Sequence, residues 1–266
     1  MIIEKLNEIL LHFFSKMEET NPEILDLKTL LRIFYNLNRK EETLEVLKSI
    51  IDKDPVLDND LRISFQATYK LIIDSIRSSL RRHNQIVDQM ETWYGNSEYK
   101  TFFLSKKAKL CNHLISTCKE AIEIIDQSLV PNAPDSMASI HFIKFKADLY
   151  RYISEYSDET ESVTATQESE RAYQEAIQIA QASDIPHYHP LYLQLLLNFA
   201  VFRHDICKNR DEAISLLNDA RKDSEGYQQL QMVDQVESEQ TIKLIEDNLS
   251  EWTKPDTDDQ YFSMKA

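Results

Sequence analysis

Only two glycines, Gly95 and Gly226, occur in 266 residues, and this scarcity constrains the fold more than any other feature of the sequence. Hairpins, bulges and phosphate-cradling loops need residues that accept positive φ at little cost. A chain so poor in them has little means of building sheets or nucleotide loops. What it has instead is apolar residues recurring at three- and four-residue spacing almost throughout, with Glu, Lys, Gln and Ser between them. That pattern is a helical array, and its length is enough for one large or two small domains with substantial cores.

Breaks fall at Asn21-Pro22, Asp54-Pro55, Gly95-Asn96, Pro131 to Pro134, the polar stretch Ser157 to Gln167, Pro186 to Pro190, Lys208 to Arg210 and near Gly226. They predict nine main helices at roughly 23–38, 40–53, 57–92, 98–129, 135–155, 166–183, 189–207, 211–224 and 233–252, with an extra one at about 3–18. The helices at about 57–92 and 98–129 each approach roughly 50 Å at 1.5 Å per residue, long enough to span a whole domain. The layout is an N-terminal extension, 1–22, a helical domain, 23–252, and an acidic tail, 253–266, that starts beside the helix-stopping Pro255 and is expected to be mobile.

The net charge of −15 disfavours nucleic acid and anionic membranes as partners, so any anion site must be local. Cys111, Cys118 and Cys207 form no CxxC and no disulfide or zinc framework, which fits a reducing, cytoplasmic setting. No run is apolar and long enough to span a membrane. No GxSxG, HExxH, Walker loop or GxGxxG occurs, and His187-Tyr-His189 sits between prolines without carboxylate or thiol neighbours, so neither an enzyme nor a cofactor is expected. A TPR-like repeat, Ala172-Tyr-Gln-Glu-Ala against Asp211-Glu-Ala-Ile, leaves a scaffold binding unphosphorylated peptide tails as the rival reading; it does not recur in the first half.

The residues that stand out are cationic. Lys70 and Arg77 are seven apart in one long helix, hence on one face, and Arg151-Tyr152 closes the run Lys144-x-Lys146-x-Asp148-x-Tyr150-Arg151-Tyr152. This run resembles the 14-3-3 family motif. Tyr69-Lys70 followed by Arg77-Ser-Ser-Leu-Arg81, Ala172-Tyr-Gln-Glu-Ala, His189-Pro190 leading to Leu197-Asn-Phe-Ala-Val201-Phe, and Asp247-Asn-Leu-Ser-Glu-Trp252 resemble the same family in the same order.

The resemblance implies an all-α fold: nine antiparallel helices in a 14-3-3-like array with an amphipathic groove, here with an extra N-terminal helix. It implies a signalling adaptor that grips phosphoserine and phosphothreonine segments of client proteins and masks, clamps or relocates them. Lys70, Arg77, Arg151 and Tyr152 match its phosphate clasp, and forked guanidiniums suit phosphate oxygens. Asn198 and Asn248 match its two backbone-pairing amides, Lys144 and Asp148 fall among its backbone and groove positions, and Asp205 matches an acidic groove residue. Leu197, Val201, Leu244 and Ile245 would form the apolar wall, with Trp252 closing the last helix. Glu155 is placed to hold Arg151 by an i,i+4 pair.

Four positions depart from the pattern: Gln194 stands where glycine is usual, Gln240 where an apolar groove residue is usual, Leu71 for Asn and Leu80 for Trp. The bulk of Gln194 predicts a narrower target range. The family dimerises through its first helices, so a homodimer, or a heterodimer with a related chain, is implied. Arg39, Glu42 and Lys109 are retained there, while His113 replaces an acid. The stripe Ile3, Leu6, Ile9, Leu10 and Phe13 needs burial. Thr257 and Ser263, if phosphorylated, would bring the tail into a groove, making it a partner too.

Overall fold

The computed structural model describes residues 22–94 and 97–254. The predicted N-terminal helix, its apolar stripe and the tail with Thr257 and Ser263 lie outside the described residues. Among these residues there are nine α-helices and no strand: α1 (Pro22–Asn36), α2 (Lys40–Lys53), α3 (Asn59–Tyr94), α4 (Ser97–Ile124), α5 (Ser136–Tyr156), α6 (Glu159–Gln181), α7 (Pro190–Asp205), α8 (Arg210–Asp223) and α9 (Met232–Trp252). The all-α expectation holds. Contacts divide the chain into two compact units, one ending at Ser75 and the other beginning at Ile76.

In the first unit, Leu47, Ile50, Leu57, Phe65, Tyr69 and Ile73 are buried, and the Phe65 and Tyr69 rings meet edge to face with centroids 5.0 Å apart. Asn38, at φ 55, turns the chain between α1 and α2, a conformation that Asn tolerates better than most residues. Lys53 bridges to Glu23 at 2.7 Å and Lys28 to Asp58 at 2.8 Å. Arg39 pairs with Glu42 at the start of α2.

The second unit is built on α5, whose Ile140, Phe142, Ile143, Phe145, Ala147, Leu149 and Ile153 are all buried. Ala172, Ala176 and Ala180, four apart, give α6 a small-residue face. Ser169 Oγ donates to Ala147 O at 2.9 Å, and Ser162 Oγ to Ser154 O at 2.8 Å, so α6 runs antiparallel to α5. Arg203 on α7 donates to Glu170 at 2.7 Å, and Tyr173 packs on Phe199, centroids 5.4 Å apart. Helix α7 is thus antiparallel to α6 and parallel to α5.

The polar stretch before residue 166 does not break the array as expected, because α6 already begins at Glu159. Asp158 caps it by accepting from Glu161 N at 3.0 Å, Glu159 and Glu161 suit the positive end of the dipole, and Ala165 is buried. The end of α4 also differs from a plain helix: it passes into a π-helical turn, Ile125–Leu129. Gly226, at φ 105, makes the break before α9, and a Cβ there would lie 3.3 Å from the Tyr188 ring. Arg210 covers the far end of α9, donating to Trp252 O and Lys254 O, each at 2.6 Å. No helix among the described residues is long and apolar enough to cross a membrane.

Candidate functional site

The cationic cluster of the second unit rests on one tyrosine ring. Arg77 comes from α3, whereas Arg151 and Tyr152 come from the last turns of α5. The guanidinium carbons of Arg77 and Arg151 lie 4.7 and 4.6 Å from the Tyr152 ring centroid. Tyr152 is itself buried, so the ring is a fixed platform for both charges. Lys70, the fourth predicted clasp residue, is exposed on the part of α3 that belongs to the first unit.

Each arginine has a carboxylate. Arg77 Nη2 lies 3.0 Å from Glu155 Oε2, so Glu155 serves Arg77 across helices and not Arg151 as its i,i+4 spacing predicts. The reason is geometric: Arg151 Nη2 turns back along α5 toward Asp148 Oδ1, 3.5 Å away. Burial weighs against both positive charges. It is outweighed at Arg77 by Glu155 and the Tyr156 hydroxyl, and at Arg151 by Tyr173, Asp148 and Tyr152, so both pKa values are raised above the ordinary arginine value. The Nε of Arg151 is buried with no hydrogen-bond partner.

Asp148, only 5% exposed, joins three helices. Its Oδ1 accepts from the Tyr173 hydroxyl of α6 at 2.6 Å. Asn198 Nδ2 of α7 donates to Oδ1 at 3.1 Å and to Oδ2 at 2.9 Å. Burial and the Asp148 carboxylate push the Tyr173 phenol well above its ordinary range, so it stays protonated and donates. Asn198, an amide set among leucines, thereby has its partner. The sequence motifs assign Tyr173 no role, although a phenol on the alanine face of α6 needs a partner.

Leu197, Asn198, Val201 and Asp205 occupy one side of α7, with Leu197 buried in the core and Val201 packed against it, and Gln194 falls on the same stripe, half-buried. Asp205 Oδ1 contacts His204 Nδ1 at 2.7 Å, and the His204 ring stacks on Trp252 at 4.3 Å and 6°. On α9, Leu244 is 52% exposed, whereas Ile245 is fully buried in the core and faces away from any open wall. Asn248 Nδ2 donates to Leu244 O at 2.7 Å within its own helix. Lys144 is buried on α5, Gln240 and Leu71 are exposed, and Leu80 is buried.

Two guanidiniums on a shared ring, each paired with a carboxylate and linked through Asp148 to the Asn198 amide of α7, can chelate an anion and pair with an extended peptide. Residues 30–253 match the family model described as 14-3-3 protein. Over 221 residues the chain is 30% identical to a 14-3-3 protein homolog of Trichoderma harzianum, which covers 83% of this chain and 84% of that one. It is 30% identical over 218 residues to 14-3-3 protein beta/alpha-B of Xenopus laevis, covering 81% and 87%. The 14-3-3-like protein GF14 iota of Arabidopsis thaliana is likewise 30% identical over 218 residues, covering 81% and 80%. This chain belongs to the 14-3-3 family.

Proposed function

We propose that the chain is a non-catalytic adaptor that binds phosphoserine- or phosphothreonine-containing segments of other proteins in extended form. Family membership supports a phosphopeptide-binding role in general. The observation that carries the specific reading is the pair Arg77 and Arg151 on Tyr152. A phosphate brings close to two negative charges and three acceptor oxygens. Two guanidinium forks match those oxygens bidentately, and Lys70 is the third cation that the resemblance assigns to the clasp. A unit charge pair 4 Å apart gains about 1 kcal/mol in water and about 4 at an effective dielectric of 20, so half-buried arginines are the effective ones. The net charge of −15 is screened beyond ~8 Å and does not oppose binding at the clasp. Asn198, Val201 and Asp205 then line the path of the peptide. We assign to the same reading a dimer formed through α1 and α2 and a cytoplasmic setting.

Fluorescence anisotropy of an Arg-Ser-x-pSer-x-Pro peptide and its unphosphorylated twin tests this, with wild type against the double variant Arg77→Ala/Arg151→Ala. Binding that requires the phosphate and both arginines establishes the clasp. Binding indifferent to phosphate sinks it in favour of an ordinary peptide scaffold.

A further inference from the structure

Helix α7 carries an amide that the reading above leaves unused. The Gln194 side chain is half-buried and makes no hydrogen bond among the described residues. It lies four residues before Asn198 and seven before Val201, so all three project from one face of α7. Leu193, Leu195 and Leu196 around it are buried while Gln194 and Asn198 are only partly so, which makes this the less buried face of α7.

The two helices α5 and α7 run parallel, and the hydrogen bonds between Asp148 and Asn198 set their register. One turn toward the N-terminus, Gln194 stands level with Lys144. One turn the other way on α5 stand Arg151 and Tyr152. Along the helix axes the separation between Gln194 and the arginine–tyrosine platform is about 10 Å at 1.5 Å per residue. An extended peptide advances about 3.3 Å per residue, so it covers this distance in about three residues. The step from Asn198 to Gln194, about 6 Å, is also close to the two-residue repeat of an extended strand, after which backbone groups again point the same way. An amide offers donor and acceptor together, which is what a strand's backbone N–H and C=O require.

We infer that Gln194 is a specificity-determining residue that hydrogen-bonds the client backbone about three residues from the phosphorylated one, extending the row begun by Asn198. This rests on the phosphopeptide reading above. The consequence is selectivity by length: segments that stay extended for three residues on that side gain a contact, and segments that turn away earlier bury the Gln194 amide without a partner.

The test uses the full chain and three phosphopeptides, one with four residues on each side of the phosphoserine and two cut to two residues on one side or the other. Wild type is compared with Gln194→Gly, which removes the side chain, and Gln194→Met, which keeps its bulk without its amide. Both variants are expected to weaken the long peptide about five-fold, the size of one net hydrogen bond. They should leave one of the two cut peptides unaffected; the melting temperature should be unchanged in Gln194→Met and lowered by about 2 °C in Gln194→Gly, whose glycine weakens the helix interior. Wild-type affinity in Gln194→Met, tighter binding in Gln194→Gly, or equal losses with all three peptides would overturn the inference while leaving the clasp intact. A wild type that ignores the phosphate overturns both.

Discussion

Asn198 donates through a single amide nitrogen to both oxygens of Asp148, 3.1 and 2.9 Å away across 50 residues of sequence. With Tyr173 on the same carboxylate, one buried charge fixes the register of α5, α6 and α7. It also stands behind Arg151, three residues along its own helix. The alignment of the α7 stripe with the cationic platform is therefore set by a polar contact within an apolar core.

Replacing Asp148 by Ala leaves the Tyr173 hydroxyl and the Asn198 amide without their acceptor and Arg151 without its carboxylate. Breaking a buried network of this kind costs about 3 kcal/mol. At this chain length that corresponds to a drop in melting temperature on the order of 8 °C, measurable by circular dichroism. A variant that melts within a degree or two of wild type would show the network to be dispensable.

Glu155 holds Arg77 and would compete for it with a phosphate bound as proposed. Glu155→Gln keeps the size and a hydrogen-bond acceptor and removes one negative charge beside the platform. For a phosphate charge about 6 Å away in a water-like dielectric, the gain is about 0.7 kcal/mol. Phosphopeptide affinity should rise about three-fold, and less in high salt. Weaker binding instead would assign Glu155 to aiming Arg77.

Asp158→Ala removes the cap of α6. The expected loss is about 1 kcal/mol, concentrated in the first turn. Hydrogen exchange would show Glu161 and Ser162 losing protection while the Tyr173 region keeps it. Uniform loss of protection along α6 would contradict a purely local cap.

His189 caps α7 by accepting from Leu191 N–H at 3.2 Å on its Nδ1. Burial lowers its pKa, against the opposing pull of Asp234. The unfolded chain, with a His pKa of about 6.5, then binds the proton more readily than the folded one. Stability conferred by the neutral ring is present above about 6.5 and is lost as the pH falls through that value toward the folded pKa. His189→Asn keeps a capping acceptor without a titration, so its melting temperature should fall less than that of wild type between pH 7.5 and 5.5. Parallel curves would remove His189 from the acid response.

The fold was legible because glycine scarcity and three-to-four periodicity act locally, and local signals set helices. The late start predicted for α6 has its cause in the Ser, Thr and Gln residues, which are common in loops. Their polarity is that of an exposed helix face, and Asp158 with Glu161 was the stronger signal. At the site, Arg77, Arg151 and Tyr152 were recognisable as a set by motif. The partner of Glu155 was not, because i,i+4 spacing permits a pair while tertiary packing brought Arg77 nearer. Ile245 and Leu244 are adjacent in sequence and 100° apart on the helix, and tertiary packing puts Ile245 in the core and leaves Leu244 exposed.

The Tyr152 platform has a thermodynamic consequence. A free arginine side chain gives up as much as about 2 kcal/mol of rotamer entropy when it is immobilised. Arg77 and Arg151 are already restrained by the ring and by their carboxylates, so that loss belongs to folding and not to capture. Arrival of a phosphorylated segment would then be limited mainly by the ordering of the segment itself, and a client already held extended should bind with the smaller entropic penalty.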